Sequence, residues 1–346
     1  MDREERGLAR GSVRLRSASV VMPAFNAGRT IDAALASVAG QILAAQEVIV
    51  VDDASTDDTA ARAERWSDHL PIVVLRNEHN VGVGLSRTRA IAAATSELIA
   101  PLDADDVWLP DHLSTVVPLA TGPRVIVAVD RRRWRPGAGV TSHIEPEHRV
   151  PPPDDQVEGI LRGNFLFVGS VADRQCILDS GGSAARSVDD WEMWIRLIVE
   201  GGCRAVPASH ATVLYRTDPT SLSAADGCLP GEIDLCERLL QEPAYRAYEP
   251  TIEVTLRRRH ARRIFLDGLS ESANGNSRVA RRAYLQALVM DRSMKGGRQA
   301  APFGSVTLRA AYALMAPRRA LHTRGTRLAA KAISPPNQTT RETAPQ

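Results

Sequence analysis

Asp103, Asp105 and Asp106 place three carboxylates within four positions, directly after the apolar run Leu98-Ile99-Ala100-Pro101-Leu102. Acids this close repel one another unless a positive charge sits among them. Hard oxygen ligands in that number suit a divalent cation. The chain turns apolar again at Val107-Trp108-Leu109-Pro110, so the acids interrupt a buried segment. Further chemistry-bearing groups are Asn26 and Gly28, Asp52 and Asp53, Gly82 and Gly84, and the pair Asp189-Asp190.

The elements that must position these groups follow from periodicity. Ser19–Pro23, Glu47–Val51, Pro71–Leu75 and the run into Leu102 are short and apolar, as buried strands are. Between them come helical spacings: Ile31, Ala34, Leu35 and Val38; a capping-box pattern at Ser55 and Asp58 opening a helix toward Trp66; and a helix from Gly84 through Ala94. Strand and helix alternating four times predict a mostly parallel, Rossmann-like α/β sheet with helices on both faces. Strand carboxyl ends share one edge of such a sheet, so the acids, Asn26 and the glycines converge on a nucleotide-type crevice.

A strand over Arg124–Val129 is expected next. A long loop over 131–158 follows, holding Arg131-Arg132-Arg133-Trp134-Arg135, and Trp134 is its stacking candidate. Order returns with Asn164–Ala172, a helix around Cys176–Leu178 and another opening at Asp189, whose Trp191, Trp194, Ile195 and Ile198 form an apolar stripe. Ala211–Arg216 is the last strand expected. Two amphipathic helices come later, one through Val279, Tyr284 and Leu288, the other through Leu308, Tyr312 and Met315. The expected division is a leader over 1–17, the α/β domain over 18–225 (its nucleotide-binding part about 18–129, its acceptor part about 130–225), a helical appendage over 226–334 and a disordered tail over 335–346.

The net charge of +2 hides an asymmetry: residues 251–346 hold 18 Lys/Arg against 5 Asp/Glu, and the first 250 hold 25 against 36. The basic end suits anionic lipid head groups, so a peripheral contact of these helices with an anionic membrane is expected; no nucleic-acid partner is. The four cysteines lack C-x-x-C spacing, the N-terminus lacks an apolar signal segment, and no apolar run is long enough to span a bilayer. A cytoplasmic protein, peripheral at most on the inner face of the cell membrane, is the expectation.

Five motifs in order carry a resemblance: Val21-Met22-Pro23-Ala24-Phe25-Asn26, Val51-Asp52-Asp53-Ala54-Ser55-Thr56-Asp57, Asn80-Val81-Gly82, Leu102-Asp103-Ala104-Asp105-Asp106 and Asp189-Asp190-Trp191-Glu192. Together, over about residues 18–225, they resemble the family 2 glycosyltransferases, inverting enzymes of GT-A fold that use nucleotide-diphospho-sugars. The resemblance implies that Asp53 bonds the imide of a uracil-like base, with Pro23, Ala24, Phe25 and Asn26 beside the nucleoside and Asn80 and Gly82 nearby. It implies that Arg87 approaches the nucleotide, and that Asp103, Ala104 and Asp105 form the D-x-D, with Asp106 adjacent, holding Mg²⁺ or Mn²⁺ on the diphosphate. Asp190, between Asp189 and Trp191, matches the catalytic base. The implied reaction moves a sugar from a UDP- or dTDP-type donor to an acceptor hydroxyl, with a lipid-linked acceptor in view, in cell-surface polysaccharide, glycolipid or secondary-metabolite synthesis.

One departure is visible. Tyr215-Arg216-Thr217-Asp218-Pro219-Thr220-Ser221 carries Asp218 where the family often has His. Ionised, Asp218 can ligate a metal but cannot donate to phosphate; Arg216 is a candidate diphosphate contact. Two rival readings are a sugar-nucleotidyltransferase, against which the absence of a Gly-rich basic loop after the first strand argues, and a non-catalytic nucleotide-sugar- or polysaccharide-binding domain.

Overall fold

β1 (Ala18–Ala24) is buried along its whole length, which is why it forms the middle of a sheet. The computed structural model describes residues 14–291 except 136, 138, 141–148, 184, 186 and 218–226. Helix α1 (Ile31–Ala39) follows, burying Ile31, Ala34, Leu35 and Val38. Then come β2 (Glu47–Asp52), α2 (Thr59–Glu64), β3 (Ile72–Arg76), α3 (Val83–Ala93) and β4 (Leu98–Pro101). Four strands lie parallel in the order β3-β2-β1-β4. The order reverses at β1, so β1 and β4 flank the point where an open α/β sheet leaves a crevice at its carboxyl edge. The expected mostly parallel α/β architecture is borne out.

The core joins the strands to their covering helices through Val20, Met22, Leu35, Val48, Val50, Leu98, Ala100 and Leu102. Each fully buried large aliphatic contributes about 1.5–3 kcal/mol, an upper estimate because unfolded chains already bury some surface.

A second, smaller sheet follows in the chain. It combines β5 (Val107–Trp108), β6 (Val125–Arg135), β7 (Gly139–Val140) and the long β9 (Arg204–Arg216), in the order β5-β9-β6-β7. Two expectations are corrected here. The arginine run Arg131–Arg135 is strand and not loop, because β6 runs on beside β9 in parallel from Val125↔Arg204 to Trp134↔Arg216. The last strand likewise begins at Arg204, seven residues earlier than its apolar half suggests. Helix α4 (His112–Val116) lies between β5 and β6. Helix α5 (Gln156–Arg162), the short antiparallel β8 (Ala172–Asp173), α6 (Arg174–Asp179) and α7 (Asp189–Val199) fill the span before β9.

The capping box at Ser55 and Asp58 does not form. Asp58 precedes α2 without a side-chain cap bond, and Ser55 Oγ accepts from the backbone of Asn26 instead.

Helix α8 (Leu229–Gln241) is anchored on α7: Arg238 donates to Glu192 at 2.6 Å, and Arg196 donates to Glu242 at 3.1 Å. The chain divides into two units at Thr255/Leu256, within α9 (Glu249–Ala273). In the second unit, the rest of α9 pairs with α10 (Ser277–Met290). Ala261 and Phe265 pack with Ala280, Tyr284 and Ala287, and the Phe265 and Tyr284 rings lie 5.1 Å apart. The expected helix through Tyr284 is this one; the one through Leu308 lies outside the described residues.

Candidate active site

At the carboxyl ends of β1 and β2, two loops are stitched together. Asn26 adopts a left-handed φ of 49°. Its N–H donates to Ser55 Oγ at 2.9 Å, and its Oδ1 accepts from Thr56 N at 2.9 Å. Asparagine suits the position because it tolerates this backbone region better than most residues. Pro23 and Ala24 are buried in the strand end, while the Phe25 ring is 50% exposed beside the crevice.

Asp53 closes the next turn. Its carboxylate accepts from Val81 N at 2.9 Å, Gly82 N at 2.8 Å and Asn77 Nδ2 at 2.7 Å; Asn80 Nδ2 reaches its backbone oxygen at 3.4 Å. Burial pushes this carboxyl up, but the bonds from Val81, Asn77, Gly82 and Ser86 outweigh it and hold it below the ordinary range. An ionised Asp53 therefore fixes the turn that starts α3, with Gly82 at a φ of 99°.

Asp103, Asp105 and Asp106 follow β4 in a tight turn, Asp106 N donating to Asp103 O at 3.1 Å. Ala104 is buried between them. Each acid offers an oxygen within 4.8 Å of the others. Arg216, at the end of β9, donates from its backbone N to Asp106 Oδ1 and from Nε to Asp105 O, both at 2.9 Å. Burial, then the charges of Asp105 and Asp103, drive the Asp106 carboxyl well above its ordinary pKa. A divalent cation among the three would reverse that shift, so this donor set fits a hard dication such as Mg²⁺ or Mn²⁺.

Arg87, on α3, joins this cluster to α7. Only 2% exposed, it donates from Nη2 to Asp103 Oδ1 at 2.6 Å and from Nη1 to Asp189. Burial disfavours its charge, but Asp189, Asp103 and Asp190 together raise its pKa, so it stays cationic. Gly84 makes the approach possible: a Cβ there would stand 2.4 Å from Ala185 O and 3.0 Å from Asp189 Cβ.

Asp190 is half-buried at the first turn of α7. Asn164 Nδ2 donates to its Oδ2 at 3.0 Å, and its Oδ1 accepts from Trp191 N at 2.7 Å. Burial raises its pKa and Arg87 opposes the rise. Trp191 is a core residue, its Nε1 donating to Ile160 O at 2.7 Å, so it fixes the helix start from below.

Two site residues escape a reading of the sequence. Asn164 lies in irregular chain, and its bond to Asp190 has no local signature. Arg131 sits between two aromatic rings, its guanidinium 3.7 Å from the Phe167 centroid and 4.1 Å from that of Tyr215, and its charge favours the ionised forms of Asp106 and Asp190. Trp134, the expected stacking platform, has Arg216 over its ring at 4.4 Å. Asp218 lies outside the described residues.

Residues 19–169 match the family described as Glycosyl transferase family 2. The chain is 39% identical over 95 residues to the UDP-Glc:alpha-D-GlcNAc-diphosphoundecaprenol beta-1,3-glucosyltransferase WfgD of Escherichia coli, covering 28% of this chain and 37% of that one. It is 31% identical over 196 residues to the succinoglycan biosynthesis protein ExoU of Rhizobium meliloti (strain 1021), covering 53% and 57%. The matches thus span from about a third to somewhat over half the length of these curated relatives. Among solved structures, S. aureus TarS 1-349 in complex with UDP-GlcNAc aligns with a TM-score of 0.55 at 16% identity, covering 88% of this chain and 83% of that one. The mannosyltransferase PcManGT from Pyrobaculum calidifontis, in complex with GDP-Man and Mn²⁺, aligns with a TM-score of 0.54 at 18% identity, covering 89% and 81%. These two likenesses concern the fold. The match to family 2 glycosyltransferases thus covers residues 19–169, and the fold is the GT-A fold of these structural neighbours.

Proposed function

We propose that this protein is an inverting glycosyltransferase that moves a sugar from a nucleotide-diphospho-sugar to an acceptor hydroxyl. The observation that carries the reading is the single connected site in which Arg87 spans Asp103 and Asp189, bringing the three-acid cluster and Asp190 to one sheet edge. Pro23 to Asn26, Asp53, Asn80 and Gly82 would cradle the nucleoside, in a donor of UDP or dTDP type. Asp103, Asp105 and Asp106 would hold Mg²⁺ or Mn²⁺, which supplies Lewis-acid stabilisation of the leaving diphosphate. Arg216, beside Asp105, would add a positive charge there.

Asp190 is the general base. It takes the proton of the acceptor hydroxyl as that oxygen bonds to the anomeric carbon, while the bond from that carbon to the diphosphate breaks on the opposite face and the nucleotide leaves with the electron pair. The configuration inverts. Asn164 holds the Asp190 carboxylate in one orientation, as base catalysis requires. The reaction lies within residues 18–225.

The name of WfgD, a glucosyltransferase for a diphosphoundecaprenol-linked sugar, supports a lipid-linked acceptor in polysaccharide synthesis. No helix among the described residues is long and apolar enough to cross a membrane, so such an acceptor would be met at the bilayer surface. A thermal-shift panel of nucleotide sugars with Mn²⁺ tests the donor assignment. The true donor raises the unfolding temperature by mass action, and a panel in which none does so contradicts the reading.

A further inference from the structure

Helix α10 turns its inner side to α9 through Ala280, Tyr284 and Ala287. Its outer side is unusual for a solvated helix. Arg278, Arg282, Leu285 and Val289 recur at helical spacing along one stripe, with Arg281 and Val279 flanking it, and all are exposed. Leu285 is 50% exposed, Val279 54% and Val289 78%. The helix contains no Asp or Glu. Arg257, Arg258 and Arg263 of the same unit are exposed as well.

An aliphatic row set among arginines calls for a surface that is both apolar and negatively charged. The remainder of the chain from residue 292 holds ten Lys/Arg and a single acid, Glu342, so it cannot supply the opposite charge. A second copy of this face would set arginine against arginine. We infer that the outer face of α10 docks on an anionic lipid bilayer, with Leu285 and Val289 entering the head-group boundary and Arg278, Arg281 and Arg282 contacting lipid phosphates. This docking is independent of the transfer reaction and stands or falls separately from it.

The full chain is sedimented with phosphatidylcholine vesicles that contain or lack phosphatidylglycerol. It is expected to bind only the anionic vesicles, and less as salt rises. Arg278→Gln with Arg282→Gln should lower the partition roughly thirtyfold. Leu285→Ser with Val289→Ser should lower it severalfold, with circular dichroism and the unfolding temperature unchanged in both. No binding by the wild type, equal binding to both vesicle types, or variants that bind as before would each overturn the inference. So would variants that keep vesicle binding but change the molecular mass in solution, which would make the face a contact between copies.

Discussion

Arg87 donates to Asp103 Oδ1 at 2.6 Å from a position almost wholly buried, and its other Nη holds Asp189. A single cation thus sets the distance between the acidic turn after β4 and the start of α7. Arg87→Met leaves Asp189 buried without its partner, and the expected loss is about 3–5 kcal/mol in chemical denaturation. Arg87→Lys keeps the charge but not the fork, so it should fold yet transfer sugar at least tenfold more slowly.

If the three-acid cluster holds the proposed metal, donor binding depends on that metal. For Asp105→Ala, titration calorimetry should show donor affinity that no longer changes when Mn²⁺ is added or chelated. An unchanged metal dependence would remove Asp105 as a ligand.

Arg131 acts on the site through its charge. Arg131→Met removes a cation that favours ionised Asp190, so the pKa of this proposed base rises. The acid limb of the pH–rate profile of transfer should move to higher pH, whereas a merely structural loss would lower the plateau without moving the limb.

Glu192, 1% exposed, shows its effect in stability. Burial pushes it up, but Arg238, Ser183 and the Ala185 N–H hold it at about 2, against an unfolded value of 4.5. A depressed carboxylate contributes stability that is fully present above pH 4.5 and is lost as pH falls toward about 2, on the order of 3 kcal/mol in all. Glu192→Gln should be less stable at neutral pH and should show a flatter fall of stability below pH 4.5.

What the sequence discloses and what it hides have physical causes. Asp103 to Asp106 stand out because a fully buried strand ends there, and polar residues can follow such a strand only where it reaches an edge. The parallel sheet is legible in the same way, from apolar runs with short helical connections. The second sheet is not, since β6 pairs with a strand about eighty residues later and the polar half, Arg131–Arg135, has no alternation to reveal it. Local rules also mislead at Ser55, whose hydroxyl fits a helix cap but is taken by Asn26 from another loop. Asn164 reaches Asp190 across 26 positions, and no spacing rule carries that information.

In the proposed reaction Asp190 takes the proton of the acceptor hydroxyl. The measurement is single-turnover transfer by Asp190→Asn alongside calorimetric donor binding. Asparagine keeps the bond to Trp191 N and the packing but cannot accept the proton, so donor affinity should stay within a few-fold of wild type while transfer falls about 10²–10⁴-fold. Transfer within a few-fold of wild type would contradict the account.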